Sequence, residues 1–93
     1  MPKKPVKVAI TYCAECGYEP QTLELAGALM RKFTHQLAGI EIIPWYEGSF
    51  DVALNGKLVH SMYREGGFPD NAKMVEEVNK VLATAASPAV ESA

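Results

Sequence analysis

Cys13 and Cys16, in the stretch "ITYCAECGYEP" from Ile10 to Pro20, are the residues with the clearest chemistry in this sequence, and its only cysteines. Two intervening residues let two sulfurs close a small ring. One thiolate can then attack a target disulfide while the other resolves the mixed disulfide. A free thiol titrates at about 8.5, and a nearby cation or a helix N-terminus lowers that value. Here Glu15 lies between the sulfurs and Glu19 follows, and both carboxylates oppose a thiolate. Gly17 and Pro20 place the next helix start after the motif, so neither cysteine is expected in its first turn. The expected pair is reducing or modestly reactive, not strongly oxidising.

Two other readings of the thiols stand beside this one: a zinc site, or two ordinary cysteines that happen to be close. Zinc would need two more ligands, and the histidines, His35 and His60, stand at separations that match no common zinc pattern. No metal ligand set is therefore expected. His35, late in a helical stretch, is expected to cap carbonyls or face water. His60 reads as a surface cross-strand partner of Asp51. No Ser/His/Asp set or phosphate loop is present, and "REGGFPD" (Arg64 to Asp70) reads as a hinge before a capped helix.

Length and composition narrow the class. A chain of 93 residues suits one small domain with one core, 1–93, whose ends at 1–4 and about 86–93 are expected to be disordered. A net charge of −2 leaves no basic field for a phosphate backbone, so no nucleic-acid partner is expected. No apolar run approaches a membrane span, and "MPKKPVK" lacks the hydrophobic stretch of a secretory signal. A cytoplasmic protein without membrane contact is the expectation. Cytosolic thiols are kept reduced on average, which favours a catalytic, sensing or metal role over a structural disulfide.

The elements that must position the cysteines follow from periodicity. Val6, Val8, Ile10 and Tyr12 alternate with Lys7, Ala9 and Thr11 in a first strand, 6–12. A helix from about Pro20 carries the stripe Leu25/Ala26, Leu29/Met30, Phe33 and Leu37, with Gly39 as its stop. "GIEIIPWY" reads as a short strand ended by Pro44. In "FDVALNGKLVHSM", Asn55-Gly56 between alternating runs marks a type I′ hairpin. That turn sets Leu54 opposite Lys57, Val52 opposite Val59 and Asp51 opposite His60. Asp70 is placed to cap a last helix, Asn71 to about Ala85, with the stripe Met74/Val75, Val78 and Val81/Leu82.

The order β-α-β-β-β-α defines an α/β (α+β) fold with a four-stranded mixed sheet and two helices. A right-handed βαβ crossover makes the first two strands parallel, and the hairpin joins antiparallel to strand one. The loop Pro44 to Ser49 then passes close to the cysteines. Both helices are expected on one face, leaving Thr11, Ile43, Asp51, Ala53, Leu58 and His60 on the other. That face is either a weak homodimer surface or a tolerated exposed sheet.

"YCAECGY" after a first strand, "GSFDVALNGKLVHS" at the hairpin and "GGFPD" before the last helix together resemble the selenoprotein W/T/H family, over residues 6 to about 83. Within it, the resemblance is to the small selenoprotein W-like members. It implies a thioredoxin-like fold and thiol-disulfide oxidoreductase or redox-carrier activity, with glutathione or a protein thiol/disulfide as partner and no bound cofactor. The family motif is Cys-x-x-selenocysteine or Cys-x-x-Cys, so this chain looks like a non-selenium member. Thioredoxins attack with the first motif residue, which corresponds to Cys13. Selenium in this family sits at the position of Cys16, which ranks Cys16 ahead as the attacking group.

Two departures from thioredoxin stand out. Tyr12 precedes the motif where thioredoxin has tryptophan, and Gly48 stands where its substrate-shaping cis-proline would be. Tyr12, Gly17, Trp45, Tyr46 and Gly48 are the residues expected to meet a substrate or partner. Trp45 and Tyr46 either wall the groove or cap the sheet edge. The competing function is a redox-sensitive interaction module without turnover, in which the disulfide switches the Trp45 loop. A metal-binding module comes third.

Overall fold

The computed structural model describes residues 5–85. The ends read above as disordered, 1–4 and 86–93, lie outside the described residues. The elements are β1 (Val6–Cys13), α1 (Glu19–Phe33), a 3₁₀ turn (Thr34–Gln36), β2 (Leu37–Trp45), β3 (Phe50–Leu54), β4 (Lys57–Ser61), a one-turn α2 (Met62–Glu65) and α3 (Asn71–Ala85). The sheet order is β2-β1-β3-β4, with β1 parallel to β2 and antiparallel to β3, as the crossover argument requires.

The core forms where the period-2 pattern of β1 meets the period-3.6 stripes of the helices. Val6, Val8 and Ile10 are fully buried, as are Leu25 and Leu29 of α1 and Val78 of α3. Ala26, Phe33, Leu37, Phe50, Val52, Leu54 and Met74 complete the cluster. The N-terminus of α3 is capped as expected: Asp70 Oδ1 accepts the Ala72 amide at 3.1 Å. The hairpin turn has φ of +53° at Asn55 and +84° at Gly56, both positive as type I′ demands. Asn55 also ties the N-terminal approach down, donating to the Pro5 carbonyl at 2.6 Å and accepting the Lys7 amide at 2.8 Å.

Four expectations need correction. The first helix ends at Phe33, and Leu37 and Gly39 belong to β2. Leu37 lies four residues after Phe33, a spacing that fits a helix stripe. The chain breaks there because Thr34 adopts φ of +51°, and Leu37 is then buried from the sheet side. Accordingly His35 sits exposed in the 3₁₀ turn, with Nδ1 3.3 Å from Thr34 Oγ1.

Second, Pro44 does not end β2: it pairs with Tyr12, and the strand runs on to Trp45. β2 is the edge of the sheet, so the missing N–H leaves no neighbour unpaired.

Third, the hairpin holds its expected register only near the turn. Leu54 faces Lys57, but an irregularity between Val52 and Ala53 sets Val52 opposite His60 and Asp51 opposite Ser61. His60 is therefore not on the open face with Thr11, Ile43, Asp51, Ala53 and Leu58. It is 7% exposed, and its Nε2 donates to the Gly67 carbonyl at 2.7 Å.

Fourth, part of the expected hinge is helical. Residues 62–65 make the one-turn α2, closed by Gly66 at φ of +79° with its amide on the Met62 carbonyl.

Candidate redox site

β1 delivers the motif and β2 delivers a loop to the same edge. Two backbone hydrogen bonds join them: the Cys13 amide donates to the Ser49 carbonyl at 2.8 Å, and the Ala14 amide to the Trp45 carbonyl at 3.1 Å. Residues 45–49 are thus held against the cysteines. The loop braces itself as well, since Ser49 Oγ and the Ser49 amide both donate to the Tyr46 carbonyl, at 2.9 and 3.3 Å. Its reversal needs two left-handed residues, Glu47 at φ of +61° and Gly48 at φ of +70°. From α2, the Tyr63 hydroxyl donates to the Glu47 carbonyl.

Cys13 and Cys16 are joined as a disulfide, with Cα atoms 5.3 Å apart. Their environments differ. Cys13 is the last residue of β1 and is 0% exposed, whereas Cys16 lies in the turn beyond it and is exposed. Gly17, at φ of +77°, turns the chain toward α1, which starts at Glu19; Cys16 is therefore outside the helix's first turn. In that first turn the Tyr18 carbonyl accepts both the amide and the hydroxyl of Thr22, at 3.1 and 2.9 Å.

The structure brings Trp45, Tyr46 and Gly48 to the motif loop and leaves Tyr12 further inside. Tyr12 pairs with Pro44 and Phe50 and packs partly buried on the core. Trp45 and Tyr46 are 56% and 61% exposed with ring centroids 5.6 Å apart, so they stand free beside the motif. Four contributors escaped the sequence reading: Ser49, Tyr18, Tyr63 and Phe68. Phe68 packs edge-on against Tyr18 at 4.8 Å and Phe50 at 5.1 Å, linking the segment before α3 to the motif turn. No local pattern marks them, because each acts through a partner distant in sequence.

Among the described residues no three His, Cys, Asp or Glu side chains are grouped as metal ligands. Likewise no helix among them is long and apolar enough to cross a membrane. Arg64 donates to Glu65 at 2.7 Å, and that bond lowers the Glu65 carboxyl below its ordinary value.

A four-stranded mixed sheet with a dithiol motif closing its first strand is a thioredoxin-like fold. It superposes on the crystal structure of a selenoprotein W-related protein from Vibrio cholerae with a TM-score of 0.77, covering 81% of this chain and 94% of that one. At 24% identity, that likeness is one of fold. The sequence profile of the Rdx family matches residues 7–80. Selenoprotein W of Danio rerio is 35% identical over 74 residues, covering 78% of this chain and 86% of that protein. Migration and invasion enhancer 1 of Bos taurus is 35% identical over 77 residues, covering 81% of this chain. The chain spans 64% of that relative's length. The chain belongs to the Rdx family, together with selenoprotein W.

Proposed function

We propose that the chain is a cytoplasmic thiol-disulfide oxidoreductase or redox carrier in which Cys16 attacks and Cys13 resolves. The observation that carries this reading is the contrast in access between two bonded sulfurs: Cys16 is exposed and Cys13 is buried. A target disulfide can approach only the accessible sulfur. In the reduced protein the Cys16 thiolate attacks one target sulfur, forming a mixed disulfide and releasing the other target sulfur as a thiolate. The Cys13 thiol loses its proton and attacks Cys16 Sγ, expelling the second target thiolate. The protein ends as the Cys13–Cys16 disulfide, and the target has gained two electrons and two protons. A thiol reductant closes the cycle, either two molecules of glutathione or one protein dithiol.

A second reading, a redox-sensitive interaction module, is favoured by one feature. The Ala14 amide between the cysteines is bonded to the Trp45 carbonyl, so a change at the motif can reach an exposed aromatic pair. Turnover separates the two. With excess reductant and a disulfide substrate, a carrier cycles many times per molecule, whereas a sensor stops after one two-electron step. Absence of any exchange by the reduced protein would defeat the carrier reading.

A further inference from the structure

Two stretches that contain no lysine or arginine, residues 8–30 and 33–56, supply the motif turn and the facing loop, and Tyr63 and Phe68 join them from the segment after β4. β1 and β2 end, and α1 and β3 begin, at the motif edge. Exposed Glu15, Glu19 and Glu47 therefore gather there. None of the three takes part in an ion pair among the described residues, where the pairs are Lys7–Glu41, Arg64–Glu65 and Lys80–Glu77. Arg64, which follows Tyr63 in α2, is already held by Glu65 at 2.7 Å. Among the described residues the cations outside these pairs are Arg31 and Lys32 at the end of α1, Lys57 at the start of β4 and Lys73 in the first turn of α3. Lys73 stands with His60, Glu65 and Asp70, so carboxylates accompany the one unpaired lysine on the motif side. Among the described residues, exposed carboxylates without an ion-pair partner therefore surround the accessible sulfur.

Trp45 and Tyr46 add a second preference of the same sign. Their exposed rings are surfaces on which a guanidinium or ammonium group binds well. A charged disulfide approaching Cys16 meets these carboxylates before its sulfur arrives, so its charge sets the encounter rate. We infer that the natural target of this site is a disulfide in a cationic protein segment, with lysine or arginine beside the half-cystine, and that the anionic disulfide of glutathione is a poor substrate. This rests on the reading of Cys16 as the attacking thiol. Electrons pass from the dithiol to the target, as in the exchange written above, and only the partner's charge is added.

The test uses four disulfides on the full-length reduced protein. Three are peptide disulfides identical except for lysine, serine or glutamate on either side of the cysteine; the fourth is oxidised glutathione. Each rate is divided by the rate of dithiothreitol with the same disulfide, which removes intrinsic reactivity. The lysine peptide is expected to exceed the glutamate peptide and glutathione by about tenfold at low ionic strength, and by less than about threefold near 0.5 M salt. Replacing Glu15→Gln and Glu47→Gln together is expected to shrink the low-salt ratio severalfold while the serine peptide still reacts. A lysine-to-glutamate ratio at or below one, or a ratio unmoved by both salt and the double variant, overturns the inference. Failure of all four disulfides, the serine peptide included, would instead overturn the exchange reading beneath it.

Discussion

The Cys13 amide donates to the Ser49 carbonyl at 2.8 Å, which fixes the buried cysteine to the start of the loop-strand junction opposite. Together with the neighbouring Ala14–Trp45 bond, it makes the motif and the aromatic loop one mechanical unit.

Unequal access of the sulfurs predicts unequal trapping. A Cys13→Ser variant retains the accessible thiol without its resolver, and is expected to accumulate a mixed disulfide with a peptide disulfide. Cys16→Ser retains only the buried thiol and is expected to trap at least about tenfold less in the same time. Intact-mass spectrometry reads both. The reverse pattern would assign the attack to Cys13.

Trp45 reports the state of the pair. The disulfide closes the turn bearing Ala14, whose amide holds the Trp45 carbonyl, so opening it is expected to reach the indole. Equilibration in glutathione buffers is expected to give a single two-electron transition between about −200 and −300 mV, followed equally by Trp45 fluorescence and by thiol trapping. Trapping without a fluorescence change would uncouple the loop from the motif.

Gly48 serves the backbone more than the space. A Cβ built there would meet only the Tyr18 hydroxyl oxygen, at 3.9 Å, an ordinary contact, but φ is +70°. Gly48→Ala is therefore expected to lose about 1 kcal/mol in urea unfolding, and Gly48→Asn less, since asparagine tolerates this conformation. Equal losses for both would point to crowding.

His60 holds the segment that carries Phe68. Its Nε2–H satisfies the Gly67 carbonyl in a site only 7% exposed. His60→Ala removes the donor and is expected to destabilise by about 1–3 kcal/mol. Hydrogen exchange should rise across residues 66–70 before it rises in β1. An unchanged midpoint would show that water replaces the ring at no net loss.

Several features were legible without a fold because each rests on contacts a few residues apart. The Asn55-Gly56 turn needs two positive φ values, and only such residues supply them cheaply. The α3 helix combines a local cap at Asp70 with a local stripe, and it spans Asn71–Ala85 as read. The motif spacing of Cys13 and Cys16 is likewise local. Even the parallel pairing of β1 and β2 follows from the handedness of a short crossover.

What failed was decided by partners far away in sequence. Leu37 fits both a helix stripe and a strand, and the left-handed Thr34 together with pairing to Val6 chose the strand. Pro44 reads as a terminator until β2 proves to be an edge. The irregularity beside Val52 turned His60 from the surface into a buried bond with Gly67. Chemistry divides the same way. Residue type and spacing alone determined that a dithiol pair closes the first strand. Only the tertiary structure decided which sulfur faces solvent, because Cys13 is buried as the last residue of a paired strand and Cys16 lies in the turn beyond that pairing.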